Sequence, residues 1–234
     1  IDRLFKSSSM LQIKIPFSKK KIIYACKRLI HNQKLEQGYL RPVVWRGGQS
    51  MAPGISNAKI NVAIAGWDWP IYYSNNAKEK GIKLTISKWR RPPAICAPVK
   101  SKCSGLYMIC TLAKHDAEKK KYDDALMQDL AGNVCETTSS NIFFIKNNSI
   151  ETPKADSFLN GITRKEVIKL CKKNKIIIRE KKISLKNIKN YNSCFITGTA
   201  AEITPVSRIN NLKFDTKNLI LKKIIYKFNE LIKN

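Results

Sequence analysis

The chain has 234 residues, among them 44 lysine and arginine and 17 aspartate and glutamate residues, with a formal net charge of +27. This length excludes a small module held together by disulfides, and it allows one large domain or two modest ones. Seven cysteines without C-x-x-C spacing and only two histidines exclude an obvious zinc site and predict reduced thiols in a cytoplasmic compartment. No apolar run approaches the roughly 18 residues of a membrane span, so no membrane association is expected.

The positive charge favours a nucleic-acid-binding protein only if it is clustered on one face. The lysines instead run along the whole chain together with abundant isoleucine and asparagine, which is typical of compositional bias. The densest runs, Lys19–Lys21, Lys119–Lys121 and Lys172–Lys173, are expected on the solvated faces of helices. We therefore expect no nucleic-acid partner, and steeply salt-dependent DNA binding would indicate the opposite.

The N-terminal part of the chain combines a helix with apolar strands. Ser18 precedes the segment Lys19–Asn32, whose apolar residues recur at helical spacing, which predicts an amphipathic helix capped by Ser18. The apolar segments Tyr39–Arg46, Ile60–Ala65 and Ile82–Trp89 predict strands.

Residues 92–100 are rich in proline and have no periodicity, which predicts an interdomain linker. The linker divides a small N-terminal domain, residues 1–91, from a larger C-terminal domain, residues 101–234. Mixed strands and helices in this order predict an α+β or α/β fold with two parts.

The C-terminal part alternates helices and strands. Helices are predicted at Gly105–Lys121 and from Thr163 onward, and the pair Asn147-Asn148 predicts the turn of a hairpin. The remaining predicted elements are the strands Ala125–Leu130, Asn141–Lys146, Ser149–Thr152, Ile176–Ile183, Ser193–Thr197, Ile203–Ile209 and Leu212–Phe214, and the helix Lys217–Ile232.

Lys102 is a candidate nucleophile, because it lies between small residues ahead of a predicted helix and Tyr107 follows five positions later. A lysine amine attacks a carbonyl only when it is neutral, and small neighbours let the backbone approach a cofactor closely. This pattern suits the lysine of a pyridoxal phosphate site, although an ordinary surface lysine would have the same neighbours.

Glu136 lies ahead of the hydroxyl-rich sequence Thr137–Ser140. A carboxylate that faces a pyridinium nitrogen keeps the ring protonated, which lets the ring withdraw electrons from a substrate. A glutamate in this position is equally compatible with a turn or a helix cap.

Two turns offer backbone N–H groups to an anion. Gly161 is followed by Thr163-x-x-Glu166, which is typical of a capping box and presents the positive end of a helix dipole, although most capping boxes bind nothing. The small-residue turn Thr197–Glu202 follows a buried strand and suits a phosphate or a carboxylate, or a purely structural turn.

Taken together, these motifs resemble those of the branched-chain amino acid aminotransferases, which belong to the fold-type IV pyridoxal phosphate enzymes. Several independent motifs in one order are far more specific than any single motif. The resemblance implies a two-domain fold with a small α/β N-terminal domain and a larger pseudo-barrel C-terminal domain that binds the cofactor. It covers essentially the whole chain, through Asp2–Leu4, Tyr39–Pro42, Lys102–Tyr107, Glu136–Phe143, Leu159–Arg164 and Gly198–Val206.

The resemblance implies a catalytic role for Lys102, which would hold pyridoxal 5'-phosphate covalently and move the proton at the α-carbon of the substrate. Glu136 would pair with the ring nitrogen, and Tyr107 would hydrogen-bond the phenolic oxygen of the cofactor. The residues implied to hold the phosphate are Arg3, Ile162, Thr163, Gly198 and Thr199.

On the substrate side the resemblance implies Tyr39, Arg41 and Ala200, with Trp69 and Tyr72 as aromatic wall residues. Arg41 would accept the second carboxylate of glutamate. The implied reaction transfers the amino group of leucine, isoleucine or valine to 2-oxoglutarate in two half-reactions, in a homodimer or higher homo-oligomer without metal.

Chains of this family begin well before Arg3, so we expect a preceding segment that supplies strands of the small domain and part of the substrate pocket. A protein without that segment is expected to be unstable or inactive, because strand edges would lose their partners. The alternatives are a D-amino acid aminotransferase, an aminodeoxychorismate lyase or an inactive relative. Tyr39-x-Arg41-Pro42 and the stretch Thr199–Pro205 favour the branched-chain type, and the intact Lys102 and Glu136, with Thr163, disfavour an inactive relative.

Overall fold

The computed structural model describes residues 1–48, 58–69 and 72–233. The chain divides into two compact units, Ile1–Pro70 and Ile71–Asn234. This division differs from the predicted linker at 92–100, because the strand Ile82–Arg90 pairs with two strands of the second unit. The proline-rich stretch is therefore a loop of the second unit, since proline content and a lack of periodicity do not distinguish a loop from a linker.

The first unit contains two helices, α1 (Asp2–Met10) and α2 (Lys19–Asn32), and two strands, β1 (Gly38–Arg46) and β2 (Ile60–Asp68). The backbone N–H of Lys21 donates to Ser18 Oγ at 3.2 Å, which confirms the predicted cap of α2. The two strands pair antiparallel along their whole length. The sequence did not predict α1, because three serines with poor helix propensity, Ser7–Ser9, lie in its C-terminal half.

The second unit contains helices on a large curved sheet. In chain order its elements are α3 (Asn75–Lys80), β3 (Ile82–Arg90), α4 (Met108–Lys119), β4 (Asp124–Gln128), β5 (Val134–Thr137), β6 (Asn141–Lys146), β7 (Ser149–Pro153), α5 (Ile162–Lys173), β8 (Ile177–Lys181), β9 (Ser193–Gly198), β10 (Glu202–Ile209), β11 (Leu212–Lys213) and α6 (Leu219–Lys233).

The sheet of the second unit closes on itself. Strands β10, β3, β4, β5 and β6 pair in that order, and β9 pairs with both β6 and β10. The β10–β3 and β3–β4 pairs are parallel, whereas the other pairs of this ring are antiparallel. Strands β7 and β8 extend the sheet from β6, and β11 lies beside β10. This ring confirms the expected pseudo-barrel.

The core of the second unit follows the alternation of side chains along the strands. In β6, Ile142 and Phe144 belong to a buried cluster shared by the strands of the ring. Phe143 and Ile145 belong to a second cluster, in which α5 and α6 pack against the sheet. Helix α4 packs through small residues against β4. The ring therefore has apolar side chains on both of its faces, which fixes the positions of the loops at its ends.

Several local predictions are confirmed. Asn147 has a positive φ angle of 51° in the predicted asparagine turn, and Asn210, between β10 and β11, has a positive φ angle of 46°. The three lysine runs are exposed. The predicted helix at 105–121 is instead a 3₁₀ turn, Ser104–Tyr107, followed by α4. Within the described ranges, none of the helices combines the length and apolar character needed to cross a membrane.

Candidate active site

Lys102 and Tyr107 are brought together by the turn that precedes α4. Ser101 is buried, and its hydroxyl and its backbone N–H both donate to the carbonyl of Pro98, which fixes the chain just before Lys102. The 3₁₀ turn Ser104–Tyr107 then folds the chain back. As a result, Lys102 Nζ donates to Tyr107 Oη at 2.6 Å and lies 4.8 Å from the centre of the tyrosine ring. The lysine side chain is exposed, so its amine is accessible from solvent.

Glu136 lies inside strand β5 and is only 8% exposed. Arg91 Nε lies 3.4 Å from Glu136 Oε1, and Asn141 Nδ2 donates to Glu136 Oε2 at 3.1 Å. Burial raises the pKa of Glu136 to about 7, whereas the positive charges of Arg91 and Lys102 oppose this increase. Lys102 is therefore close enough to Glu136 for its charge to affect the carboxylate.

Asn141 connects Glu136 to the beginning of α5. Its Nδ2 also donates to the carbonyl of Leu159 at 3.0 Å, and its Oδ1 accepts from the backbone N–H of Gly161 at 3.1 Å. A Cβ at Gly161 would lie 2.5 Å from Asn141 Oδ1, which is much shorter than a normal contact. The glycine therefore allows the helix to begin directly beside the amide that holds Glu136.

Helix α5 begins at Ile162 with Gly161 as its N-cap and without a hydrogen bond from a capping side chain. The predicted capping box is therefore wrong: Thr163 lies inside the first turn, and Glu166 accepts from Lys169 at 2.8 Å instead. The first backbone N–H groups of a helix lack partners within the helix. The end of α5 that faces Asn141 thus offers N–H groups and a positive dipole end without a competing side-chain cap.

Arg164 anchors this end of α5 to the sheet. The side chain is completely buried, and its Nη2 donates to the carbonyl of Pro153 at 2.7 Å and to Glu180 Oε2 at 2.8 Å. Its Nη1 donates to Asn160 Oδ1 at 2.9 Å. The first turn of α5 is consequently fixed on β7 and β8, and Ile162 and Thr163 with it.

The turn after β9 lies beside the same part of the sheet. Asn141 pairs in register with Thr197, and a Cβ at Gly198 would lie 2.9 Å from Ser140 Oγ. Thr199 and Ala200 form the turn, and Thr204 Oγ1 donates to the carbonyl of Ala201 at 2.7 Å. The turn therefore stands next to the start of β6, from which Asn141 reaches Glu136.

The substrate-side candidates of the first unit form a separate aromatic group on the β1–β2 hairpin. Tyr39 lies 5.3 Å from Trp67 and 4.9 Å from Trp69, measured between ring centres. The guanidinium of Arg41 lies 5.3 Å from the ring of Tyr39 and 5.4 Å from that of Trp67. Arg3 lies in the first turn of α1 in the same unit.

Tyr72 belongs to the second unit and is 40% exposed. Its ring makes an edge-to-face contact with Tyr73 at 4.7 Å. The other candidate site residues of this unit are Lys102, Tyr107, Glu136, Ile162, Thr163, Gly198, Thr199 and Ala200.

These groups fit an anionic cofactor that carries a basic ring nitrogen. The amine of Lys102 suits attachment to a carbonyl carbon, and the buried carboxylate of Glu136 suits a protonated ring nitrogen. The hydroxyl of Thr197 is buried and has no hydrogen-bond partner among the described residues. This hydroxyl, near the end of β9, can therefore donate to a bound cofactor. The N-terminus of α5 and the small-residue turn after β9 both lie beside the start of β6. They supply the N–H groups that a phosphate requires.

The family model that describes amino-transferases of class IV matches residues 1–209. The chain belongs to this family. A probable branched-chain-amino-acid aminotransferase from Rickettsia bellii is 38% identical over 221 residues, which cover 94% of this chain and 73% of the relative. The match to the class IV amino-transferases includes every candidate site residue named above, since these lie between Arg3 and Ala200.

Two solved structures show that the similarity to branched-chain amino acid aminotransferases includes the fold. The branched-chain amino acid aminotransferase of Escherichia coli has a TM-score of 0.95 at 29% identity, with 98% of this chain and 77% of the other chain covered. A branched-chain amino acid aminotransferase of Thermoproteus uzoniensis, solved with norvaline, has a TM-score of 0.93 at 27% identity, with 99% and 77% covered. This class IV amino-transferase therefore shares the fold-type IV architecture.

A third solved branched-chain amino acid aminotransferase is complexed with N-(5'-phosphopyridoxyl)-L-glutamate. It has a TM-score of 0.92 at 29% identity, with 99% of this chain and 76% of the other chain covered. We call it the glutamate-conjugate complex. Its bound molecule joins a phosphopyridoxyl group to an amino acid, which is the class of cofactor that the groups around Lys102 and Glu136 fit.

Sequence reasoning missed three residues that contact the candidate residues, one in the first unit and two in the second. Asn141 could have been found, because a hydroxyl-rich turn after Glu136 places the residue five positions later opposite it in a hairpin. Trp67 could have been found from its position opposite Tyr39 in the β1–β2 pair. Arg91 carried no such signal, since a second arginine and two prolines beside it are typical of an exposed loop.

Proposed function

We propose that this protein is a pyridoxal phosphate-dependent aminotransferase that transfers the amino group of L-leucine, L-isoleucine or L-valine to 2-oxoglutarate. The observation that carries the proposal is the pair formed by Lys102 and Tyr107 near the buried carboxylate of Glu136, in a class IV amino-transferase chain. The names of the similar relatives support the branched-chain substrate class.

Bound pyridoxal phosphate would supply an aldehyde carbon for amines and a ring that withdraws electrons from the α-carbon of the substrate. Lys102 would hold this group through Nζ and, once displaced by the amino acid, would take the α-proton and return it. Tyr107 Oη, which accepts a hydrogen bond from Nζ, would orient the amine and bind the phenolic oxygen.

Glu136 would keep the ring nitrogen protonated, since an ionised carboxylate beside that nitrogen favours its charged form. The backbone N–H groups of Ile162 and Thr163, and the turn at Gly198 and Thr199, would bind the phosphate. Support comes from the uncapped first turn of α5 and from the small residues of the turn.

Within the first unit, Arg3 is our candidate for binding the phosphate through its positive charge, and the aromatic group of the hairpin is our candidate for binding the substrate. Tyr39 and Trp69 offer apolar walls that suit an aliphatic side chain, whereas Arg41 offers a cation for the second carboxylate of glutamate. In the second unit, Tyr72 and Ala200 are our further candidates for binding the substrate. The glutamate-conjugate complex supports glutamate as the second amino acid.

The experiment is a transaminase assay of the purified protein loaded with pyridoxal phosphate. Leucine, isoleucine, valine and D-alanine are each supplied with 2-oxoglutarate, and the glutamate formed is measured. We expect glutamate from the three branched amino acids and little from D-alanine. Turnover of D-alanine alone would contradict the branched-chain assignment, and cofactor uptake without any transamination would contradict the aminotransferase assignment.

We also propose that the protein works as a homo-oligomer in the cytoplasm. The cysteines of the described chain are all free, which suits a reducing compartment, and exposed apolar side chains such as Val43 and Trp45 suit an interface between copies. Light scattering coupled to size-exclusion chromatography measures the oligomer, and a monomer at micromolar concentration would contradict this proposal.

A further inference from the structure

Arg91 is a buried arginine at the end of β3, although its sequence neighbours are typical of an exposed loop. Its backbone N–H donates to the carbonyl of Gln128 at 2.8 Å, so the residue continues the β3–β4 pair. Its side chain points away from solvent, and the residue is 4% exposed. The adjacent Arg90 is exposed. Burying a guanidinium costs free energy unless charged and polar groups contact it. The groups that contact Arg91 therefore explain why it is buried.

The guanidinium of Arg91 contacts three separate segments. Nε lies 3.4 Å from Glu136 Oε1 and donates to the carbonyl of Ser157 at 3.4 Å. Nη1 donates to the carbonyl of Leu106 at 3.4 Å and to Cys110 Sγ at 3.2 Å. Leu106 directly precedes Tyr107, the partner of Lys102. One side chain therefore connects Glu136 with the turn that positions the candidate cofactor lysine and with the loop before α5.

Four charged groups act on Glu136 across the elements packed against it. Arg91 directly after β3, Lys102 before α4 and Arg164 on α5 favour the ionised carboxylate, and Asp124 on β4 disfavours it. Arg91 has the largest effect of the four, since it alone forms an ion pair with Glu136 in the described chain. Asn141 adds an amide hydrogen bond but no charge.

We propose that Arg91 is a positioning residue that keeps Glu136 ionised and directed toward the ring nitrogen of the bound cofactor. The inference rests on the proposed function, because it assumes that Glu136 pairs with that nitrogen. Without Arg91, less positive charge would oppose the effect of burial, so a larger share of Glu136 would be protonated near neutral pH. A neutral carboxyl group stabilises a pyridinium far less than a carboxylate does. Arg91 acts through Glu136 and touches no reacting atom.

The test compares Arg91→Met with Arg91→Lys and with the matched control Arg90→Met. Two properties are measured in the absence of amino acid: the dissociation constant of pyridoxal phosphate, and the pH dependence of the visible absorbance of the bound cofactor. We expect Arg91→Met to weaken binding at least about tenfold and to lower the pH at which the ring loses its proton, because one pKa unit corresponds to a factor of ten. Arg91→Lys should lose less affinity for pyridoxal phosphate than Arg91→Met and should shift the absorbance titration less. Arg90→Met should match the wild-type protein in both measurements.

A double-mutant cycle separates this role from a merely structural one. In the background Glu136→Gln, Arg91→Met should change the dissociation constant far less than in the wild-type background, because its effect passes through the charge of Glu136. Equal losses in the two backgrounds would overturn the proposal. So would an absorbance titration of Arg91→Met that coincides with that of the wild-type protein.

If Arg91→Met fails to fold, the same double-mutant cycle with Arg91→Lys tests the proposal instead. The lysine keeps a positive charge but loses the planar contacts of the guanidinium. A wild-type protein that binds no pyridoxal phosphate would overturn the proposed function and the role of Arg91 together. A protein that binds the cofactor but acts on other amino acids would overturn only the branched-chain assignment, because neither readout uses a substrate.

Discussion

Two parts of the second unit differ in how the protein holds their charged groups. We call them the lysine turn, residues 102–107, and the carboxylate cluster, Arg91, Glu136 and Asn141. In the lysine turn, Lys102 is exposed, and its amine contacts the hydroxyl of Tyr107. In the carboxylate cluster, formed by Arg91, Glu136 and Asn141, each side chain is buried and Glu136 has a partner on each oxygen. A group that carries a proton between two partners needs room to move, whereas a countercharge acts only from a fixed position. The comparison predicts that changes in the turn affect turnover and changes in the cluster also affect stability.

The largest effect is expected from Lys102→Ala. Removal of the amine should lower transaminase turnover by at least roughly 10³-fold, because the only proposed proton carrier at the α-carbon is lost. The free energy of unfolding should change little, since the side chain is exposed. Steady-state kinetics and denaturant unfolding measure the two effects. Lys100→Ala, which alters an exposed lysine two residues earlier, serves as the control. Retained turnover in Lys102→Ala would contradict the role of this lysine.

Glu136→Gln should show how much the buried carboxylate lowers the free energy of unfolding. The pKa of Glu136 is raised from 4.5 to about 7 in the folded protein, so the folded state binds the proton more tightly than the unfolded chain. The contribution of this group to stability is therefore fully present below about pH 4.5 and is lost as the pH rises through about 7. Relative to wild type, the unfolding free energy of cofactor-free Glu136→Gln should increase by about 3 kcal/mol across this window.

Denaturant unfolding at about pH 4.5, 6 and 8 measures this difference. Glu79→Gln, at an exposed glutamate, should give a difference that hardly varies with pH. A pH-independent difference for Glu136→Gln would show that the carboxylate does not titrate in this window.

Gly161→Ala tests the contact between the carboxylate cluster and α5. The new Cβ would lie 2.5 Å from Asn141 Oδ1, so either the helix or the amide must shift. We expect a loss of about 1–3 kcal/mol in the free energy of unfolding, together with weaker binding of pyridoxal phosphate. At Gly48 a Cβ meets nothing within 4 Å, so Gly48→Ala is the matched control. Equal stabilities of the two variants would refute the proposed close contact.

The smallest effect is expected from Tyr107→Phe in the lysine turn. The change removes the acceptor of the hydrogen bond from Lys102 and should lower turnover by about tenfold, which corresponds to about 1.4 kcal/mol. Stability should stay close to that of wild type because the bond lies at the surface. Tyr226→Phe, at an exposed tyrosine of α6, provides the comparison. A loss of stability as large as that of Gly161→Ala would remove the distinction between the turn and the cluster.

Local signals predicted much of the fold. The cap at Ser18, the helical spacing that follows it and the asparagine turn at Asn147 depend on neighbouring residues, and all three are confirmed. Strand β5 was missed because its four residues are too few to show alternation. Glu136, which the sequence made compatible with a turn or a helix cap, lies within this strand. The boundary between the units was misplaced because the partners of β3 are distant in sequence.

The candidate site shows the same limit. Lys102 and Tyr107 lie five residues apart, and their contact follows from a single turn. The capping box at Thr163 was wrong because the backbone of Gly161, and not a side chain, makes the transition into α5. Arg91 could not be recognised, because its ion pair with Glu136 joins the end of β3 to β5, two strands that are brought together only by their pairing with β4.

The central claim is that Lys102 binds the cofactor, and one measurement tests it directly. The purified protein is incubated with pyridoxal phosphate, treated with borohydride, digested and analysed by mass spectrometry. We predict a phosphopyridoxyl group on the peptide that contains Lys102, with loss of the visible absorbance on reduction. An unmodified Lys102, or a label spread over the many surface lysines, would contradict the account.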